Sequence, residues 1–233
     1  MFKNFIRNII NNKKCIICGS FEFLPGPKGR VSPINKKNPQ CKKCGSLERH
    51  RIIRKIYNYI PRNWFKNKKI LQFSNDQSID KNWFNDYELS TYMGQNSLDL
   101  ENIERKNDSY DFIICNHVLE HIKDDYKAFK EILRISKPHA IIQLAVPTPL
   151  LIDKTRDWGF PDKEKFYHYR IYGKDFLNRF KNKIKFYYLS IIDNDPITEE
   201  KDIIYFISRT NESLKRISLF FPNKIIRDNN IVI

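Results

Sequence analysis

"DFIICNHVLEHIKDDYKAFKEILRISKPHAIIQLAVP", residues 111–147, decides the fold. It opens with the apolar run Phe112–Cys115, of the kind a parallel strand buried on both faces shows, and closes with another, Ala140–Val146. Between them Val118, Leu119, Ile122, Phe129, Ile132, Leu133 and Ile135 recur at helical spacing, which predicts a helix over 117–136. Strand, helix and strand with short links make the repeating unit of a doubly wound parallel sheet. The first strand turns polar where it ends, at Asn116 and His117, and Glu120 and His121 follow. Ligands of open parallel sheets sit beyond the carboxyl ends of the strands, so Asn116 and His117 are candidate cofactor contacts. A proton relay, a metal ion or the polar start of a helix would also account for them. The order His117-x-x-Glu120-His121 matches the inverted zincin pattern, but that pattern asks for a further ligand the stretch does not supply.

The flanking sequence extends the same alternation. "KKILQF" (68–73) and "YELSTY" (87–92) read as strands, with "SIDKNWF" (78–84) as a helix between them. "DFLNRFKNK" (175–183) reads as a helix, and 185–192 and 202–210 as an antiparallel pair of strands at the sheet edge. Residues 47–60 carry apolar positions at helical spacing and stop at Pro61. The expected class is α/β: a Rossmann-like, doubly wound, mostly parallel sheet with an antiparallel edge strand.

Residues 13–46 have too few apolar side chains to build a core, yet they hold Cys15-x-x-Cys18 and Cys41-x-x-Cys44. Two such pairs can aim four thiolates at one tetrahedral ion, and zinc suits sulfur ligands and has no redox chemistry. Gly19 and Gly45 follow each pair, where a turn calls for positive φ. A closed four-cysteine site has no open position, so the expected zinc is structural, in a small ribbon. Cys115, alone in an apolar run, reads as a small buried hydrophobe. The expected division is a basic amphipathic helix or tail (1–12), the ribbon (13–46) and the sheet domain (47–233).

After the predicted strand at 140–146, "PTPLLIDKTRDWGFPDKEKFYHYRIYG" (147–173) is long for a connection in a compact domain. Its Asp157, Trp158, Tyr169 and Arg170 suit a lid over a substrate, and His168 or His121 could take a proton from a hydroxyl. The other reading is a packed surface loop.

Forty-two lysines and arginines against 27 acids leave a net charge of +15. That charge admits a nucleic-acid partner, but the lysines are dispersed and no aromatic–basic RNA motif stands out. The sequence has no apolar run of the roughly 18 residues that a membrane span needs. Cysteines in two close pairs fit a reducing, cytoplasmic setting better than a secreted disulfide framework.

Residues 111–147 resemble the class I S-adenosylmethionine-dependent methyltransferases, type-11 branch, from the fourth strand through its helix to the fifth. "CGSLERHR" (44–51) and "HYRIYGKDFLNRF" (168–180) resemble a subgroup that carries an N-terminal zinc ribbon. The resemblance implies S-adenosylmethionine as cofactor. It implies that Gln72 and Ser74, in "ILQFSND" (70–76), lie beneath the methionine moiety, that Glu88 pairs with the ribose, that Asp99 and Leu100 meet the adenine, and that Asn116 and His117 line the cofactor. Two departures stand out. The first loop, Ser74 to Gln77, has no glycine, and His139-Ala140 stands where two glycines are usual. The implied function is methyl transfer to a small-molecule or glycan precursor. The rivals are a non-catalytic binding protein of the same fold and an RNA methyltransferase.

Overall fold

The computed structural model describes residues 13–147 and 149–229, so the expected helix at 1–12 lies outside the described residues. Two compact units emerge.

The first unit takes in the described residues up to Asn58, with Gln77–Asp80 and Asp193–Asp202. β1 (Phe23–Leu24) and β2 (Gln40–Cys41) pair antiparallel, Phe23 against Cys41. α1 (Glu48–Tyr57) follows and buries Ile52, Ile53 and Ile56. Its Glu48 accepts both guanidinium arms of Arg30, at 2.7 and 2.9 Å. Arg51, fully buried, donates through two nitrogens to Asp195 at 2.7 and 2.9 Å and through a third to the Ser46 carbonyl. A buried charge pair holds only when its remaining donors and acceptors are met, and Thr198 supplies two further bonds to Asp195. Glu48 and Arg51 of the "LERHR" stretch are therefore the charged fasteners of a module with little apolar core.

The second unit holds the sheet. Its parallel part is β3 (Lys69–Phe73), β4 (Asp86–Ser90), β5 (Tyr110–Asn116) and β6 (Ser136–Ala145). β7 (Arg156–Asp162) and β8 (His168–Ile171) form a separate antiparallel hairpin. β9 (Tyr187–Asn194), β10 (Lys201–Ser208) and β11 (Ile226–Asn229) complete seven strands in the order β11-β9-β10-β6-β5-β3-β4. The Rossmann-like, mostly parallel sheet matches the expectation. An antiparallel strand closes one edge as expected, but it is not one of the two read from the sequence. β10 runs antiparallel to β6 inside the sheet, and β11, unread in the sequence, closes that edge against β9.

Three expected helices shrink. The predicted 117–136 helix splits into a single tight turn, Leu119–His121, and α2 (Asp125–Ile135). His117 is left-handed (φ 54°), Ile122 is extended, and the Asp124 carboxylate caps a fresh start by accepting the Lys127 amide at 2.9 Å. Residues 78–84 contain only the turn Lys81–Trp83, and 175–183 only the single turn α3 (Asn178–Lys181). α4 (Asn211–Ser218) follows β10.

α2 buries Ala128, Phe129, Ile132, Leu133 and Ile135 in one core with Leu71, Ile113, Cys115, Ile142 and Leu144. Each such large side chain contributes about 1.5–3 kcal/mol on burial. Phe129 stacks on Phe180 of α3 at 4.4 Å, which keeps even that short turn in the core.

Candidate active site

The four cysteines of the first unit gather with every sulfur within 4.8 Å of the others. Cys15 and Cys44 sulfurs lie 3.8 Å apart, and Cys18 and Cys41 sulfurs 3.5 Å apart. Zinc–sulfur bonds of about 2.3 Å in a tetrahedron put the sulfurs about 3.8 Å apart, so the residues present fit the ion. The two knuckles repeat one geometry. The Cys15 and Cys41 amides donate to Ser20 and Ser46 carbonyls, and the Gly19 and Gly45 amides donate back to the Cys15 and Cys41 carbonyls. Gly19 and Gly45 take φ of 77° and 71°, as their position after each pair suggested. Burial works to raise the Cys41 thiol, but the Cys44 and Lys43 amides and the Cys18 thiol outweigh it and lower it, while burial raises the Cys18 thiol that faces it.

In the second unit a cavity of about 850 Å³ opens at the carboxyl ends of β3, β4 and β5. That volume lies within the roughly 300–1,000 Å³ range of ligand pockets. Register places the strand ends side by side, Phe73 opposite both Ser90 and Cys115. Just past them Ser74 and His117 turn left-handed, with φ of 64° and 54°. The Ser74 amide donates to the Ser90 carbonyl at 2.8 Å, and the His117 amide to the Ala145 carbonyl at 2.8 Å. The walls are mainly apolar, with Ser74, Ser90, Asp99 and His117 as polar points.

Of the residues expected at a cofactor, Ser74, Asp99, Leu100 and His117 line this cavity. Gln72, Glu88 and Asn116 do not. Gln72 is buried beneath it, donating to the Ser74 carbonyl at 2.8 Å and accepting from Tyr87. Glu88 sits two residues before the end of β4, about 7 Å short of it. There it accepts from Tyr110 at 2.6 Å, and from Arg105 and Asn96. Burial opposes its charge, yet these bonds hold its carboxyl below the usual glutamate value. Asn116 points to the face of β5 opposite Cys115, where it donates to Asp76 at 3.1 Å and accepts from Gln143 at 2.7 Å. It braces the strand end from the side away from α2.

The expected lid is a built hairpin, and three of its predicted contact residues are engaged with the protein itself. Arg170, only 2% exposed, donates to Asp157 at 2.7 Å and to the carbonyls of Leu119, Ile122 and Lys123. Trp158 donates to the His168 carbonyl at 2.9 Å, beneath the Lys165 ammonium. Arg170, held by Asp157, therefore clasps the hairpin to the 119–123 turn, Trp158 ties its two strands together, and none of the three lines the cavity. Pro161, Phe166, Tyr167 and Tyr169 line it instead. Phe166 and Tyr167 are both left-handed (φ 60° and 61°), and the Tyr167 amide bonds to the Asp162 carbonyl at 2.7 Å.

His121 lines the cavity, and His168 meets it edge-on with ring centres 4.5 Å apart. Burial lowers the His168 imidazole below its ordinary value, Glu120 opposes and His121 adds to the shift. The reading of the sequence missed Ser90, Phe166 and Tyr167 as lining residues, whereas Tyr169, expected in the lid, does line the cavity. Glu120 was noted only as part of a motif.

The model of a family described as a methyltransferase domain matches residues 46–190. No curated protein matches the chain. Among solved structures, the carbon methyltransferase CurJ is similar with 13% identity and a TM-score of 0.45, over 69% of this chain and 53% of that one, so this chain spans about half its length. A 1,6-didemethyltoxoflavin-N1-methyltransferase from Burkholderia thailandensis, with bound S-adenosylhomocysteine, has 9% identity and a TM-score of 0.44, over 68% and 78% of the two chains. A methyltransferase-like protein from Bacillus halodurans C-125 has 9% identity and a TM-score of 0.40, over 72% and 84%.

Proposed function

The chain belongs to the methyltransferase-domain family; from that premise we propose that it is an enzyme of methyl transfer, which binds S-adenosylmethionine at the ends of β3, β4 and β5 and methylates a small-molecule or glycan-precursor acceptor. The observation that carries this reading is one cavity whose rim joins Ser74, Ser90 and His117 from three parallel strands. His117 Nε2 is buried at that rim with no hydrogen-bond partner among the described residues, as expected of a donor or acceptor that awaits a ligand. The cofactor supplies an electrophilic methyl group on a sulfonium. Leu98, Leu100, Val118 and Ile122 offer an apolar slot for a base, and Asp99 is the carboxylate that lines it. The aromatic tip of the hairpin, Phe166, Tyr167 and Tyr169, covers the acceptor side, where flat rings suit a sugar or another ring. Holding the acceptor nucleophile in line supplies most of the acceleration such a transfer needs. A hydroxyl acceptor loses its proton near His121 and His168.

The four-cysteine cluster holds a structural zinc in this reading, and the chain divides into a ribbon at 13–46 and a methyltransferase domain at 47–233. Among the described residues no helix is long and apolar enough to cross a membrane, and the five cysteines are unpaired, which supports a reducing, cytoplasmic setting.

Calorimetric titration with S-adenosylhomocysteine tests the reading. Binding near micromolar strength, weakened by Asp99→Ala, is the expected outcome, whereas a folded chain that takes up none at about 1 mM would sink it. Cofactor binding without transfer to any acceptor would leave a binding protein. RNA binding whose strength falls steeply with salt would favour an RNA acceptor.

A further inference from the structure

We propose that Glu120, His121 and His168 form a second metal site, for a divalent first-row transition ion, at the acceptor end of the cavity. Each residue offers one ligand atom, and these atoms lie within 4.8 Å of one another. The cluster is graded from inside to outside: Glu120 is buried, His168 half-buried and His121 exposed. It therefore has a closed floor and an open mouth. Bonds of about 2.0–2.2 Å in a tetrahedron would bring neighbouring ligand atoms to about 3.4 Å, which rotation of the exposed His121 ring can supply.

The second observation is the state of Glu120. Its side chain is 1% exposed, and its Oε2 is buried with no hydrogen-bond partner among the described residues. No lysine or arginine among the described residues forms an ion pair with it. Its one such neighbour is His117 Nδ1, at 3.7 Å from Oε1, beyond hydrogen-bond range. A carboxylate in that position is costly to bury unless a cation meets it. Arg170 stands close by but is fully engaged elsewhere. It spends its donors on Asp157 and on the carbonyls of Leu119, Ile122 and Lys123, so it fixes the turn that presents Glu120 without neutralising it.

The arrangement is not that of the inverted zincins. Residues 119–121 form a tight turn rather than an α-helix, so His117 and His121 do not share a helical face. The missing ligand of the sequence pattern comes from the hairpin, through His168. Two imidazoles and one carboxylate suit zinc, manganese, iron or cobalt and leave coordination positions open. His121 lines the cavity, so those positions face the acceptor space. The ligand class that fits is an acceptor with adjacent oxygens, such as a vicinal diol or a hydroxy acid. A coordinated hydroxyl gives up its proton to solvent more readily, so the histidines act as ligands rather than as a base. This role for the ion rests on the methyltransferase reading above, but its binding does not.

The test uses Co2+ alone, titrated into the full, zinc-loaded chain and followed by visible absorption, with S-adenosylhomocysteine affinity measured on the same samples. One equivalent of Co2+ is expected, with nitrogen and oxygen ligand bands and no sulfur charge-transfer band. Glu120→Gln and His168→Gln should weaken it by about tenfold or more, and His139→Gln should not. Should Glu120→Gln fail to fold, His121→Asn at the exposed ligand carries the same expectation. No saturable uptake up to about 1 mM by a folded chain, or uptake unchanged in the variants, would overturn the proposal. In either case S-adenosylhomocysteine binding reports separately on the cofactor reading.

Discussion

Ser74 and His117 stand just past the carboxyl ends of neighbouring parallel strands, and both hold the left-handed backbone that glycine usually supplies, with φ of 64° and 54°. An L residue there costs about 1–2 kcal/mol. Hydrogen bonds hold both in place: Ser74 through its amide to Ser90 and its carbonyl from Gln72, and His117 through its amide to Ala145. The loop without glycine thus keeps the turn a glycine would make. What it loses is the freedom from a Cβ at the cavity rim.

Ser74→Gly should therefore stabilise the chain, by about 0.5–1 kcal/mol, because glycine relieves the strain but loses more chain entropy on folding. Ser74→Val should destabilise it, since a β-branched residue tolerates this backbone poorly. Denaturant midpoints measure both. S-adenosylhomocysteine affinity should hold or improve in Ser74→Gly, and a fall would mean that the serine hydroxyl itself holds the cofactor.

Arg170 ties the hairpin to the 119–123 turn through four hydrogen bonds from one planar group, one to Asp157 and three to carbonyls of the turn, so its loss should be felt on both sides. Arg170→Met leaves Asp157 and three carbonyls without that donor, and a loss of about 3–5 kcal/mol is expected from equilibrium unfolding. Arg170→Lys should recover little, because a point charge cannot replace the fork. Near-wild-type stability in Arg170→Met would show that the hairpin is held by its aromatic contacts instead.

Glu88 gives an acid-side signature. Its folded carboxyl lies below the usual value of 4.5, so its charge favours the folded state above that value. The contribution disappears as pH falls through the lower folded value. Glu88→Gln should flatten the acid limb of a stability–pH profile below about 4.5 and leave the limb above neutrality unchanged. S-adenosylhomocysteine affinity should drop less in Glu88→Gln than in Asp99→Asn, since only Asp99 lines the cavity.

The strands were legible because their signal is local: Phe112–Cys115 and Ala140–Val146 are apolar runs whatever the chain does elsewhere. So were the cysteine knuckles, where two glycines and two spacings fix the turns. The break at 117–124 was not. Val118, Leu119 and Ile122 keep helical spacing while His117 turns left-handed, and periodicity does not register one residue's φ. Glu88 could be read as an acid near a strand end, but which atoms reach the cavity depends on a two-residue offset along β4. Arg170 looked like a substrate contact because charge in a long segment suggests function. Its partners are carbonyls about 50 residues away in sequence, and no local pattern encodes them. His168 joins Glu120 and His121 for the same reason, through the fold of the hairpin rather than through spacing.

The cysteines separate the two units chemically. Cys115 is 1% exposed in the sheet core, and burial pushes its thiol far above the ordinary value, so it is neutral and shielded. The other four surround the proposed zinc. In the native, zinc-loaded chain none of the five should react quickly with an alkylating reagent. A chelator should expose four, because residues 13–46 have little apolar core to keep their shape once the ion leaves. The fifth should react only when denaturant opens the sheet, and mass spectrometry of the labelled peptides counts each step. Cys41→Ser should abolish zinc uptake and make its three partners reactive without a chelator. If Cys115 were labelled together with the four on chelation, the ion would be holding the sheet as well as the ribbon, and zinc would have to enter any account of the chain's stability as a whole.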